Sequence, residues 1–370
     1  MTLKTKAIFI LLSVFIILPF GSVKSEDSNS LEKALNLRSK ADKHFAKGEY
    51  NEALLFHKQS AEIAENTLGK NHPGMGAAYF MIGRTYEALN NYDKALKYYK
   101  DSYEIFFTLG DESAYDLAAN VAFIYQKKGN NEEAIAILKE LVNDQLKRFG
   151  ESKKKALAME MLAKSYEASG NYSECSLLRE KIVNFSENFY GQNSSELAVA
   201  LGNLALTFRS MGISSKGKPL IEMAFKINSK VLGPYDENTA ISLSNLALIN
   251  QDLGDIEQAE LQYKKAATVF AKCYGENHPK NVIALNNLAL LYGNLARYKE
   301  SEEILLKVIE INSKIANINP LDTALAYNNL SGLYKAMGDF AKSLPYSEGA
   351  VAIYEKSLRP EHPDIATSIL

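Results

Sequence analysis

Apolar residues recur along this chain with the period of an α-helix, stop, and restart. Leu285, Leu288, Ala289 and Tyr292 fall at i, i+3, i+4 and i+7, one face of a helix. Helical periodicity resumes over Tyr298–Ile309. The same pattern occurs eight times. A small residue inside the first helix of each unit appears as Ala41, Gly83, Ala122, Ala163, Ala205, Ala247, Ala289 and Ser331. Three residues later comes an aromatic in six of eight cases: Tyr86, Tyr125, Tyr166, Phe208, Tyr292 and Tyr334, with His44 and Asn250 as departures. Four residues further on stands Gly48, Asn90, Gly129, Gly170, Gly212, Gly254, Ala296 or Gly338. Gly and Asn there take a left-handed conformation cheaply and end the helix.

A second small residue follows five positions later: Ala53, Ala95, Ala134, Cys175, Gly217, Ala259, Ser301 and Ser343, with steps of 42, 39, 41, 42, 42, 42 and 42. Helix axes pack roughly 8–10 Å apart, and a large side chain at the closest point would push them apart. The two small positions therefore predict a pair of antiparallel helices meeting closely. One pair buries only part of its apolar surface, so the next must stack on it. Repeats are expected at 34–67, 76–109, 115–148, 156–189, 198–231, 240–273, 282–315 and 324–357, the first being the weakest match, with an incomplete ninth starting at 359–370. Gly69, Gly110, Gly150, Gly191, Gly233 and Gly275 close second helices, and His72-Pro73, His278-Pro279 and His362-Pro363 open first ones. Pro suits a helix start because the amide it lacks would be unpaired anyway. The histidines never cluster, so they read as caps and not as metal ligands.

The spacing small–x₂–aromatic–x₃–Gly–x₄–small resembles the tetratricopeptide repeat. The 42-residue period, the junction Leu68-Gly69-Lys70-Asn71-His72-Pro73 and the run Ala284–Tyr292 resemble the kinesin light chain subtype of that family. The resemblance covers residues 31–370, is strongest over 198–357, and is weakest in the first unit at Lys40, Asp42 and His44. It implies an all-α fold, a right-handed α-solenoid of stacked antiparallel helix pairs. It also implies that first helices line a concave groove for an extended peptide or a partner protein, without catalysis.

The amino terminus adds an expectation of export. Lys4 and Lys6 precede the apolar run Ala7–Phe20, and Val23 and Ser25 fit a cleavage site before Glu26. A spanning helix needs about 20 residues, so a signal peptide over 1–25 is favoured over an uncleaved anchor. A linker is then expected at 26–33, and no membrane insertion of the mature chain. Over all 370 residues, 42 basic side chains face 44 acidic ones, a net charge of −2. That balance offers no case for nucleic acid, which needs clustered positive charge. Two cysteines exclude a disulfide scaffold and Cys-rich metal modules. No phosphate-binding glycine loop, HExxH or GxSxG occurs, so neither a catalytic residue nor a cofactor or metal is assigned.

One pattern goes beyond packing. Two residues before the small position of the first helix stand Asn120, Asn203, Asn245, Asn287 and Asn329, the last four 42 apart. Asn is a poor choice inside a helix because its amide competes for backbone hydrogen bonds. In kinesin light chain-like repeats this position faces the groove, where an amide can bond a ligand's backbone. A ladder of amides bonded from repeat to repeat is the alternative, and one side chain can do both. Asn286, Asn328, Ser244, Arg209 and Lys335 are neighbouring groove candidates. Two functional classes follow: an exported scaffold that binds a peptide or partner protein, or the sensor or docking region of a longer signalling or CHAT peptidase-type protein.

Overall fold

The computed structural model describes residues 25–111, 113–148, 153–315 and 318–357. The chain divides into two compact units, Met1–Leu178 and Arg179–Leu370. The first holds α1 (Ser25–Ala46), α2 (Tyr50–Leu68), α3 (Pro73–Ala88), α4 (Tyr92–Thr108), α5 (Ser113–Lys127), α6 (Asn131–Arg148), α7 (Lys153–Ala168) and the start of α8 (Tyr172–Tyr190). The second holds the rest of α8, then α9 (Ser195–Ser210), α10 (Ser214–Val231), α11 (Glu237–Asp252) and α12 (Ile256–Tyr274). It ends with α13 (Pro279–Asn294), α14 (Tyr298–Lys314), α15 (Pro320–Ala336) and α16 (Phe340–Ser357). No strand occurs among the described residues, and the fold is an α-solenoid. The expected signal peptide at 1–25 and the start of a ninth repeat at 359–370 lie outside the described residues, apart from Ser25. Residues 26–33, expected as a linker, are instead the first turns of α1. Nothing in that stretch stops a helix, and Glu26 and Asp27 carry the charge that a helix amino terminus favours.

First helices end in one motif. In α13 the Arg297 N–H donates to the Tyr292 carbonyl at 2.9 Å and the Ala296 N–H to Gly293 at 3.1 Å, the two bonds of a Schellman cap. The aromatic position therefore supplies the capped carbonyl as well as a packing ring. The residue in the left-handed region is glycine in six of these eight helices, but Asn90 and Ala296 sit there at φ 57. At the other end, His72 Nδ1 accepts the Gly74 N–H at 3.0 Å and His278 Nδ1 accepts the Lys280 N–H at 3.3 Å. Both histidines are N-caps ahead of a proline; His362 lies outside the described residues.

The small positions meet where expected. Ala205, Ala247, Ala259 and Ala289 are fully buried, and Ser301 Oγ donates to the Ala289 carbonyl at 2.8 Å. Ser331 and Ser343 bond each other at 2.9 Å across the last pair. At Gly217 the approach is to backbone: an added Cβ would lie 2.7 Å from the Ala205 carbonyl oxygen. Stacking then closes the core: Ala247, Ala259 and Tyr263 of one pair pack with Leu288, Leu291 and Tyr292 of the next.

Four of the joints between successive pairs also carry a lysine lying over the next aromatic. Lys58 covers Tyr86, Lys100 Tyr125, Lys139 Tyr166 and Lys264 Tyr292, at 5.4, 5.0, 5.4 and 5.8 Å from the ring centres. Each lysine stands five residues after the second small position. The same slot holds Glu180 ahead of Phe208, Glu222 ahead of Asn250 and Leu306 ahead of Tyr334. In the second unit Tyr292 and Tyr334 also donate to Glu260 and Glu302, at 2.9 and 2.7 Å. Glu260 is the hub of this joint, bonded by Arg297 at 2.6 Å and by Lys264 at 2.6 Å. The Arg297 hydrogen bond, followed by that from Lys264, lowers its pKa to about 2.

Three substitutions test these features by thermal melting. Ala296→Gly should raise the melting temperature, because a non-glycine residue in the left-handed region costs roughly 1–2 kcal/mol. Gly217→Ala should lower it despite the better helix propensity of alanine, since a backbone carbonyl cannot yield; overpacking costs about 1–3 kcal/mol. Glu260 has a folded pKa below its unfolded value. Its stabilisation is therefore complete above about pH 4.5 and lost as pH falls through about 2. Glu260→Gln should melt below the parent at pH 7, with the gap shrinking between pH 4.5 and 2.

Candidate functional site

Each first helix buries two faces, one against its own second helix and one against its neighbours. A third strip is left for the Asn positions. Asn203 on α9, Asn245 on α11, Asn287 on α13 and Asn329 on α15 are all half-buried and all belong to the second unit. Two of these helices touch the next first helix directly, α9 with α11 and α13 with α15. Asn120 on α5 belongs to the first unit, and its Nδ2 donates to the Asp116 carbonyl of its own helix at 2.8 Å.

The hydrogen bonding of the row is asymmetric. The backbone of Asn203 is held from behind, its carbonyl accepting from the buried Arg179 at 3.1 Å and from Thr207 at 3.0 Å. No hydrogen bond joins Asn245, Asn287 and Asn329 to one another among the described residues. Asn329 Nδ2, Asn286 Oδ1 and Ser244 Oγ are buried atoms with no hydrogen-bond partner among the described residues. Such groups ordinarily cost about 1–3 kcal/mol each when left unmet. The amide nitrogen of Asn329 is thus not spent on a bond among the described residues.

The charged candidates divide. Arg209 pairs with Asp252 on the next first helix, with Nε 2.8 Å from Oδ2 and Nη2 donating to Oδ1 at 3.3 Å. Ser214 Oγ also donates to Asp252, at 2.9 Å, so the arginine is offset and fixed. Lys335 and Asn328 are half-buried, and Lys335 has no ion pair among the described residues. The charge of Arg209 is therefore offset within the fold. The groups of the strip can exchange hydrogen bonds with a backbone. They form no nucleophile–base pair, and no group of His, Cys, Asp and Glu among the described residues is placed to hold a metal.

Sequence reasoning missed two sets of residues. Asn228 and Asn312, on α10 and α14, are almost wholly buried and reach forward to the next first helix. Their Nδ2 atoms donate to the carbonyls of Asn238 and Asp322 at 3.2 and 3.3 Å. The two stand 84 residues apart in the sequence, a regularity that was available. The other set is exposed: Val199, Ile241, Ile283 and Leu325, one helical turn before each asparagine of the row. Their 42-residue spacing was equally visible, but periodicity alone assigned large aliphatics to the core.

The tetratricopeptide repeat family matches residues 30–106, 196–271 and 251–314, with further matches of the same description at 115–143 and 323–364. No curated protein matches the chain in sequence. BtubC (BKLC) from P. vanneervenii is 22% identical, covers 63% of this chain and 94% of its own, and superposes with a TM-score of 0.53. The apo quorum sensor NprR from B. thuringiensis is 17% identical over 90% of this chain and 99% of its own, with a TM-score of 0.57. A Rap protein complexed with competence and sporulation factor is 14% identical, over 92% of this chain and 96% of its own, with a TM-score of 0.52. A putative kinesin light chain of Podosopora anserina with nearly identical TPR-like repeats is 21% identical over 55% of this chain and 97% of its own, with a TM-score of 0.47. At these identities the likeness is one of fold.

Asn329→Ala should leave the melting temperature at or above that of the parent, because no internal bond is lost and alanine is the better helix former. A fall equivalent to more than about 1 kcal/mol would show that its amide has a structural partner.

Proposed function

Because the chain belongs to the tetratricopeptide repeat family, we propose that it is a non-catalytic interaction scaffold whose second unit holds an extended peptide or partner segment along the Asn row. The carrying observation is that Asn245, Asn287 and Asn329 stand in register, half-buried and unbonded to one another, with a buried amide nitrogen on Asn329. An extended chain presents N–H and C=O groups that have no partner of their own. A primary amide matches both, as a donor and an acceptor on one side chain. The concave face of the repeats is the surface this reading assigns to the row. The Rap protein's complex with competence and sporulation factor supports it at the level of a shared fold.

The reading extends to export. The basic start, the apolar run Ala7–Phe20 and the small residues at Val23 and Ser25 support removal of residues 1–25, with an uncleaved anchor as the alternative. No helix among the described residues is long and apolar enough to cross a membrane. Mass spectrometry of the protein recovered from an exporting host tests this: a mature chain starting at Glu26 is expected, and retention of Met1 in the membrane fraction favours the anchor.

The groove reading is tested with peptides selected from a random display library on the full mature chain. Asn245→Ala combined with Asn287→Ala should weaken their binding tenfold or more, at about 0.5–1.5 kcal/mol per hydrogen bond. The doubly substituted protein should melt no lower than the parent. Unchanged affinity, or clear destabilisation, would remove the row from the binding surface.

A further inference from the structure

The first helix pair buries an imidazole in a slot that other pairs fill differently. Four residues after the second small position, Leu138, Ile221 and Leu305 are packed into the core. Tyr99 and Tyr263 also stand there, and their hydroxyls donate to Glu87 and Gln251 at 2.6 and 3.3 Å. Arg179 bonds the following first helix from the same slot. In the first pair the slot holds His57 of α2, which is 3% exposed. Its Nε2 is buried and has no hydrogen-bond partner among the described residues. A buried polar group without a partner costs stability, and a buried unpaired charge costs far more.

The charged groups around His57 come from two other helices. Asp42 Oδ1 of α1, buried and without a hydrogen-bond partner among the described residues, stands 3.9 Å from Nε2. That is too long for a hydrogen bond. Asp42 also faces Arg38 one turn back on α1, with Oδ2 4.0 Å from Nε. From α3 comes Arg84, whose guanidinium lies over the Phe45 ring of α1 at 4.8 Å. One carboxylate, already facing an arginine, therefore stands against two cations. Burial removes the water that would solvate a charged imidazole, and Arg38 and Arg84 repel its proton. Together they lower the pKa of His57 from 6.5 to about 4, so the packed pair holds it neutral.

Among the described residues the first pair rests on one neighbour, with Lys58 over Tyr86 and Phe45 against Arg84. An end unit of a repeat stack can open while the others stay folded. Opening returns His57 to water, where it takes a proton at its ordinary pKa. The folded pKa lies below the unfolded one, so the packed pair is fully favoured above about pH 6.5. That advantage falls about tenfold per pH unit from 6.5 down to about 4 and then levels off. Asp42 acts in the opposite sense. Burial raises its pKa, so its protonation favours the packed pair near the acid end of this window.

Beyond the groove reading and independent of it, we propose that α1 and α2 form an acid-opened pair, with His57 as the proton receptor that unlocks it.

The test is amide hydrogen exchange of the full mature chain between pH 7 and 4.5, corrected for intrinsic exchange at each pH. The pair α9–α10 contains no histidine and serves as the internal reference. Protection of α1 and α2 should fall about tenfold to 100-fold relative to that pair between pH 6.5 and 4.5. His57→Leu places in the slot the residue that Leu138 and Leu305 supply elsewhere, and should flatten the dependence. Arg84→Gln should make the fall shallower, and only its slope with pH is read. Carbon-13 NMR of histidine-labelled chain should show His57, identified by its loss in His57→Leu, titrating near pH 4. An equal pH dependence in both pairs overturns the proposal, as does a dependence that His57→Leu retains. Titration of His57 at or above pH 6.5 overturns it too, since Asp42 would then be stabilising the imidazolium in the packed pair. Should His57→Leu not fold, the parent's exchange profile and the Arg84→Gln slope decide. No readout involves a ligand, so this proposal and the groove reading fail separately.

Discussion

Two helix backbones must come close enough at one point for their small side chains to touch carbonyl oxygens, and the rest of the molecule is arranged around that approach. At Gly217 the margin is gone, since even one methyl group would strike the Ala205 carbonyl. Elsewhere alanine or serine fills the gap, and serine turns the contact into a hydrogen bond, as between Ser301 and Ala289. Close packing in an interior tolerates little change of volume. The identity of these few residues thus fixes how each pair sits, and with it which face of the first helix is left over.

What remains after that packing is used in two ways. Part of it joins one pair to the next: a lysine over four of the aromatics, the tyrosines bonded to Glu260 and Glu302, and Asn228 and Asn312 reaching the following helix. These joints are polar and specific. A repeat protein gains stability from such nearest-neighbour interfaces as much as from any single unit. The Glu260 hub shows how far electrostatics contribute, with three donors converging on one largely shielded carboxylate.

The other part is presented without an internal partner. The amides of Asn245, Asn287 and Asn329 are unfavourable choices for helix formation and are not recovered by bonds to one another. The aliphatics one turn away are exposed although the core would take them. Both rows are costs to the isolated chain, and both lie on the same helix face in the same four repeats. Binding a segment that bonds the amides is one way for a fold to offset the first of these costs.

The sequence by itself determined the helical repeat, its period, the closely packed small positions, the capping residues and the asparagine row. These are local or strictly periodic, and helix geometry converts spacing into position without reference to the rest of the chain. It also exposed its own weak point in the first unit, yet it misread 26–33 as a linker, because polar composition does not forbid a helix that lacks a breaker. Tertiary structure alone decided which polar groups are spent. Arg209 faces Asp252 from a different repeat, 43 residues away, so the charge of a side chain named as a groove candidate proves to be offset. Val199, Ile241, Ile283 and Leu325 have the same hydrophobicity as the core residues beside them. Only the packing of neighbouring helices, which closes some faces and leaves one open, separates the two.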